Sequence, residues 1–174
     1  SFDEVQEEAT MNGPKIAPHN QKAAAVWDSG GASYDAISRG IADSIEHCVL
    51  RLNPQPAEKV LDLATGTGWT SRVVARRGAK VIGVDIGPHL VVAAVEKAKI
   101  EGLDIVYEVG DAEALPFADG AFDAVISTCG IMFASRPEAA ASELARVCRK
   151  GGAHRVDDVA AGQQSVQDVS GYEA

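Results

Sequence analysis

The sequence lacks what a metal centre, a disulfide framework or a membrane span would need. Its three cysteines, Cys48, Cys129 and Cys148, form no CxxC pair, and its four histidines, His19, His47, His89 and His154, show no ligand spacing. Neither a metal site nor a disulfide scaffold has support, and thiols used this sparingly point to a cytoplasmic protein. No run approaches the ~18 apolar residues of a spanning helix. The opening stretch SFDEVQEEATMNGPK is acidic and has no apolar h-region, so it does not read as a signal peptide. The internal Met11 suggests that the ten residues before it are partly foreign to the protein. Positive charge is scarce: 16 Lys and Arg stand against 25 Asp and Glu, a net charge of −9. That balance argues against nucleic-acid binding by phosphate neutralisation and against docking on anionic membranes.

What remains is an ordinary globular composition, with 46% hydrophobic and 24% charged residues in 174, enough for one domain with a core. Residues 1–20 are polar, carry Gly13, Pro14 and Pro18, and read as a flexible arm. Residues 21–56 read as a helical lead-in or lid. From Ser33, Ile37, Ile41, Ile45, Cys48, Val49 and Leu52 recur at helical spacing until Pro54 and Pro56. From 57 to 152 the element types alternate. KVLDLA, KVIGVD, DIVYEV and FDAVIS are short apolar strands, and helices are expected over 71–77, 88–101 and from Pro137 to 149. Apolar strands alternating with helices predict an α/β domain, a doubly wound Rossmann-like parallel sheet with flanking helices.

Residues 60–86, VLDLATGTGWTSRVVARRGAKVIGVDI, carry the chemistry. Gly66 and Gly68 have no Cβ, so the backbone can turn sharply and lie against a ligand. Asp62 is near the carboxyl end of the first strand, where such sheets bind ligands. Asp85 ends the second strand and can accept hydrogen bonds from both hydroxyls of a ribose, each about 1.5–3 kcal/mol. A dinucleotide site wants GxGxxG, but Ser71 stands at the third glycine. Asp62 beside the loop would repel a pyrophosphate and suits a cofactor bearing an ammonium group and a sulfonium.

VLDLATGTG, VIGVDI, GDAEALPF and FDAVIST, in that order, resemble the successive motifs of class I S-adenosylmethionine-dependent methyltransferases. The likeness is to the small-molecule, ubiquinone/menaquinone-biosynthesis-like group and covers residues 60–152. VWDSGGASYDAI, with Trp27 and Tyr34, resembles the aromatic lead-in of that group. The resemblance implies S-adenosyl-L-methionine as cofactor, S-adenosyl-L-homocysteine as product and a small-molecule methyl acceptor. It implies that the backbone of Ala64, Gly66 and Gly68 borders the methionine part and that Asp62 holds its ammonium group, directly or through water. It gives Asp85 the ribose hydroxyls, Ile86 the adenine face, and Asp111 and Ala112 the adenine edge, with Asp111 accepting from the exocyclic amine. Ser127 and Thr128 would sit near the transferable methyl, and Tyr34 reads as a lid or packing residue. No general base is identified. His89 departs from the acidic residue the family commonly has there and reads as a surface residue at a helix start. Cys129 reads as a small buried thiol. Two other functions are open: a cofactor-binding domain that self-associates without turnover, and an NAD(P)-dependent oxidoreductase.

After Lys150-Gly151-Gly152 the family pattern calls for an apolar strand, but this chain has AHRVDDVAAG. His154, Arg155, Asp157 and Asp158 suit a buried strand poorly. The sheet is therefore expected to be incomplete after strand four, with 153–174 an atypical tail. Read one base later, degenerate codons for 153–162 can spell Arg-Ile-Ala-Leu-Thr-Thr-Trp-Leu-Pro, so a C-terminally truncated or frame-altered methyltransferase is expected. An exposed fourth-strand edge would favour a homodimer through the C-terminal half, with impaired turnover.

Overall fold

The computed structural model describes residues 16–158 and 165–167. A 3-10 turn at Pro18–Asn20 leads into α1 (Gln21–Asp28), followed by a second 3-10 turn at Gly31–Tyr34, α2 (Asp35–Gly40) and α3 (Ala42–Leu52). The alternating part runs β1 (Lys59–Leu63), α4 (Trp69–Ala75), β2 (Lys80–Asp85), α5 (Pro88–Ile100), β3 (Ile105–Val109), β4 (Phe122–Thr128), α6 (Pro137–Val147), β5 (Cys148–Asp158) and β6 (Ser165–Gln167). The strands form one sheet in the order β3-β2-β1-β4-β5-β6, with β1 to β5 parallel and β6 antiparallel to β5.

Strand alternation divides the core. Leu61, Leu63, Ile82, Val84 and Val125 face Leu144 and Val147 of α6. Val60, Val81, Ala124 and Ile126 face α3 and α4, where Ile45, Val49, Val73 and Val74 pack. The central strands are buried on both faces, as a parallel sheet covered by helices requires.

Several expectations change. The sheet does not stop after strand four: β5 pairs with β4 from Ala124↔Ala153 to Thr128↔Asp157. A parallel ladder is made of backbone groups, so charged side chains along a segment do not prevent it from pairing. The helix expected to reach 149 ends at Val147, because Cys148 already pairs with Phe122. The register then shifts between Phe122 and Ala124. Gly152 enters that shift where a Cβ would lie 2.5 Å from the Asp123 carbonyl oxygen, and Gly151 adopts φ +76°. The lead-in helix is not continuous, since Ile41 leaves helical geometry at φ −116° and ψ 18° between α2 and α3. The arm read over 1–20 is docked from residue 16 onward, while its acidic part, Asp3 to Glu8, lies outside the described residues, as do 159–164 and 168–174. Among the described residues no helix is long and apolar enough to cross a membrane.

Candidate functional site

The crossover from β3 back to β4, on the far side of β1, creates a switch point in strand order, and clefts open at the carboxyl ends of the strands there. A cleft of about 740 Å³, its open mouth included, lies at this place. Its floor is Leu63 and Val84 with the turn Ala64–Gly66; Ile86, Leu90 and Ala112 form one apolar wall, and Ile131 and Phe133 another. The lead-in closes it from above. Trp27 stacks obliquely on Phe133 at 4.9 Å between ring centres and meets Tyr34 edge-on at 6.2 Å.

The turn after β1 bends through left-handed geometry at Ala64 (φ +58°), Gly66 (φ +57°) and Gly68 (φ +76°). At Gly68 a Cβ would sit 2.4 Å from the Tyr107 hydroxyl, so any side chain there would have to displace that ring. Asp85 is buried at the mouth of this turn. Its Oδ2 accepts from the Gly66 amide at 2.7 Å and its Oδ1 from the Gly87 amide at 2.9 Å. One carboxylate thus ties the glycine turn to the start of α5. Burial pushes its pKa upward, against those backbone bonds. Burial, together with the Asp85 charge, also raises that of the neighbouring Tyr34 phenol.

Asp62 is placed differently. On β1 it shares a face with Val60, against α4, and it does not line the cleft. Its Oδ2 accepts from Thr65 Oγ1 at 2.7 Å and Ser71 Oγ at 2.6 Å, while Oδ1 is buried without a partner among the described residues. Complete burial raises its pKa to about 6, despite the bonds from Ser71 and Thr65. Ser71 stands where a dinucleotide site has its third glycine, and the room for its hydroxyl comes from Gly83 across on β2. A Cβ there would lie 3.0 Å from Ser71 Oγ and 2.6 Å from the Tyr107 ring.

Of the residues singled out in the sequence, Tyr34, Ala64, Gly66 and Asp85 line the cleft, as do Ile86, Asp111 and Ala112. Gly68, Ser127 and Thr128 stand behind it with Asp62. Ser127 Oγ accepts from the Ile131 amide at 3.2 Å, and the Thr128 hydroxyl meets that of Thr70 at 2.5 Å. Both steady the loop after β4. Cys129, expected as a buried thiol, is half-buried, adopts φ +53° and lines the cleft. His89 is a surface residue whose Nδ1 meets Asp28 Oδ2 at 2.6 Å. Asn20, Ala23 and Phe133 were not singled out; all three line the cleft. Among the described residues no cluster of His, Cys, Asp and Glu could hold a metal ion.

Residues 61–156 match a family model described as a methyltransferase domain. The chain belongs to the methyltransferase-domain family. An uncharacterised protein of Mycobacterium tuberculosis is 48% identical over 97 residues, covering 56% of this chain and 35% of that one. The demethylmenaquinone methyltransferase of Beutenbergia cavernae is 35% identical over 140 residues, covering 78% of this chain and 56% of the enzyme. The chain thus spans about a third to about half of the length of these curated relatives. Among solved structures, the [4+2]-cyclase SpnF superposes with a TM-score of 0.64 at 28% identity, covering 67% of this chain and 44% of the cyclase. The family and the parallel-sheet fold agree with the α/β Rossmann-like architecture expected of the class I methyltransferases.

Proposed function

We propose that the chain binds S-adenosyl-L-methionine in this cleft and serves methyl transfer to a small-molecule acceptor. The observation that carries the reading is Asp85: a buried carboxylate at the end of β2, bonded to the glycine turn and opening into an apolar cleft. The residues present fit such a cofactor. Asp85 keeps lone pairs for ribose hydroxyls beyond its two backbone bonds. Ile86 offers an apolar face to a purine, and Asp111 and Ala112 stand beside it. The left-handed turn at Ala64 and Gly66 presents bare backbone to the amino-acid part. Asp62 acts from behind, holding the turn through Thr65 and Ser71 and adding negative charge that suits a cationic ligand. Gly68 gives the turn its exit into α4, Ser127 and Thr128 set the loop beyond β4, and Tyr34 covers Gly66. When bound, this cofactor supplies an electrophilic methyl on a sulfonium sulfur. The chain's part is then to align the acceptor, exclude water through Trp27, Tyr34 and Phe133, and leave the neutral product S-adenosyl-L-homocysteine behind.

The test is thermal unfolding with S-adenosylhomocysteine. At a hundredfold excess over Kd a ligand stabilises the folded state by about 2.7 kcal/mol. A melting temperature unmoved at millimolar ligand would overturn the reading. NAD in a parallel titration tests the oxidoreductase alternative.

A second reading, cofactor binding without methyl transfer, is favoured by one observation: a similar solved structure is that of a [4+2]-cyclase. A screen of methyl acceptors with product detection separates the two. The homodimer expected through the β4 edge loses that edge to β5. Self-association stays part of the proposal on other support, the exposed Val26, Ile37, Val92, Val95 and Ile100, and a sedimentation mass of 18.1 kDa at micromolar concentration would sink it. A cytoplasmic location is proposed on the sparing use of cysteine, three residues in 174 with no CxxC pair.

A further inference from the structure

Two consecutive residues of the lead-in grip two consecutive residues of the glycine turn. Tyr34 lies over Gly66, where a Cβ would come 3.5 Å from the ring. The next residue, Asp35, accepts from the Thr67 hydroxyl through Oδ1 at 3.1 Å. Tyr34 and Gly66 line the cleft, whereas Asp35 and Thr67 do not line it. Thr67 is fully buried and Asp35 is 7% exposed.

A carboxylate buried to that degree is costly unless it is paired. Asp35 is paired: Lys97 Nζ lies 3.2 Å from Oδ2, and Arg72 Nη2 lies 3.6 Å from Oδ1. Arg72 is itself buried and donates from Nη1 to the Thr67 carbonyl at 2.7 Å. Thr67 is thus held at its hydroxyl by the lead-in and at its carbonyl by α4, and the two holds meet in one ion pair. On its sheet side the turn is tied through the Gly66 amide to Asp85. Lifting Tyr34 from Gly66 therefore pulls on the Asp35–Thr67 bond one residue further along.

We infer that Asp35 and Thr67 are positioning residues: their bond sets Tyr34 over the cofactor turn and makes opening of the lead-in the step that releases a bound cofactor. The inference rests on the S-adenosylmethionine reading and deepens it. It gives a buried ion pair outside the cleft a role in how long the ligand stays. By reciprocity, a ligand seated against Gly66 beneath Tyr34 stabilises the docked lead-in by as much as the docked lead-in stabilises the ligand.

The experiment is release of radiolabelled S-adenosylhomocysteine from the full chain, chased with unlabelled compound. Thr67→Val keeps the side-chain shape and removes the donor. It should release the ligand about tenfold faster than wild type, the effect of losing one hydrogen bond to a charged group. Thr67→Ser restores the donor and should return the rate to within about twofold of wild type. Ile45→Val, in the core between α3 and the sheet, lowers global stability and should leave the release rate unchanged. Release from Thr67→Val at the wild-type rate overturns the inference. So does a folded Thr67→Ser that stays fast, or an Ile45→Val that is equally fast. Hydrogen exchange of the wild type decides independently of whether any variant folds. S-adenosylhomocysteine should slow exchange over residues 31–40 together with the turn at 64–68, and protection confined to the turn overturns the inference. Binding of S-adenosylhomocysteine without these effects leaves the cofactor reading standing, whereas no binding by wild type sinks both.

Discussion

The two halves of the cleft are held by different forces. The sheet half is set by backbone ladders and by side chains buried on both faces, such as Leu61 and Val125 at 0% exposure. The roof, from the first 3-10 turn through α2, buries less and is fastened by a few polar latches. Asn20 holds Asp111, Asp28 caps α5 by accepting from the His89 amide, and Asp35 accepts from Thr67 Oγ1 in the glycine turn. Asp35 also pairs with Lys97 at 3.2 Å and faces the buried Arg72. A site built this way is expected to keep a fixed floor and to open first at its roof, where only a handful of bonds need break, at free energies well below global unfolding.

The sharpest way to break the contrast is to damage the floor. Leu61→Ala should destabilise the whole fold by about 2–5 kcal/mol, with floor and roof melting together. Two separate transitions in chemical denaturation would show instead that the halves are independent. Second in size is a pH effect confined to the floor. The folded state raises the Asp62 pKa from 3.8 to about 6, so between those values it keeps a proton that the unfolded chain has released. Stability should therefore fall as pH rises through this window, by on the order of 3 kcal/mol, with Asp85 acting in the same direction. Asp62→Asn should flatten the dependence of the urea midpoint over pH 4–6; an unchanged slope would refute the assignment.

The roof should respond more locally. Asp35→Ala removes its bond to Thr67 and a partner of Lys97 and Arg72. A loss of about 1–3 kcal/mol is expected, together with faster hydrogen exchange in α1 and α2 and near-native protection in α3, β1 and β4. Uniform acceleration across the sheet would contradict the division. The smallest effect belongs to His89→Ala. The imidazole is 77% exposed, so its pair with Asp28 should contribute under about 1 kcal/mol and weaken further in salt, while the backbone cap persists. A loss above about 2 kcal/mol would mean this latch is far stronger than an exposed pair should be.

The same division governs what the sequence discloses. Apolar runs, paired glycines and an acidic strand end are local signals, and they locate β1, its turn, β2 and Asp85 within a residue or two. The latches join residues 32, 61 and 91 positions apart and leave no periodicity to read. Asp62 shows a subtler limit. Its position along β1 puts it near the ligand end, but strand alternation turns it toward α4 and Ser71, away from the cleft. The charged side chains of β5 conceal a strand, since backbone pairing with β4 does not depend on them.

The carboxyl ends of β1 and β4 approach so closely that a Cβ on Gly130 would fall 2.3 Å from the Ala64 Cβ. Ala64 itself adopts φ +58°, a conformation that a side chain tolerates poorly. Between them the two positions have space for one methyl group. They should therefore covary across related chains: glycine at 130 wherever 64 carries a side chain, and a small side chain at 130 admitted only where 64 is glycine. The pair works as a steric gauge across the switch point, and exchanging the two residues in a double variant should be tolerated far better than Gly130→Ala alone.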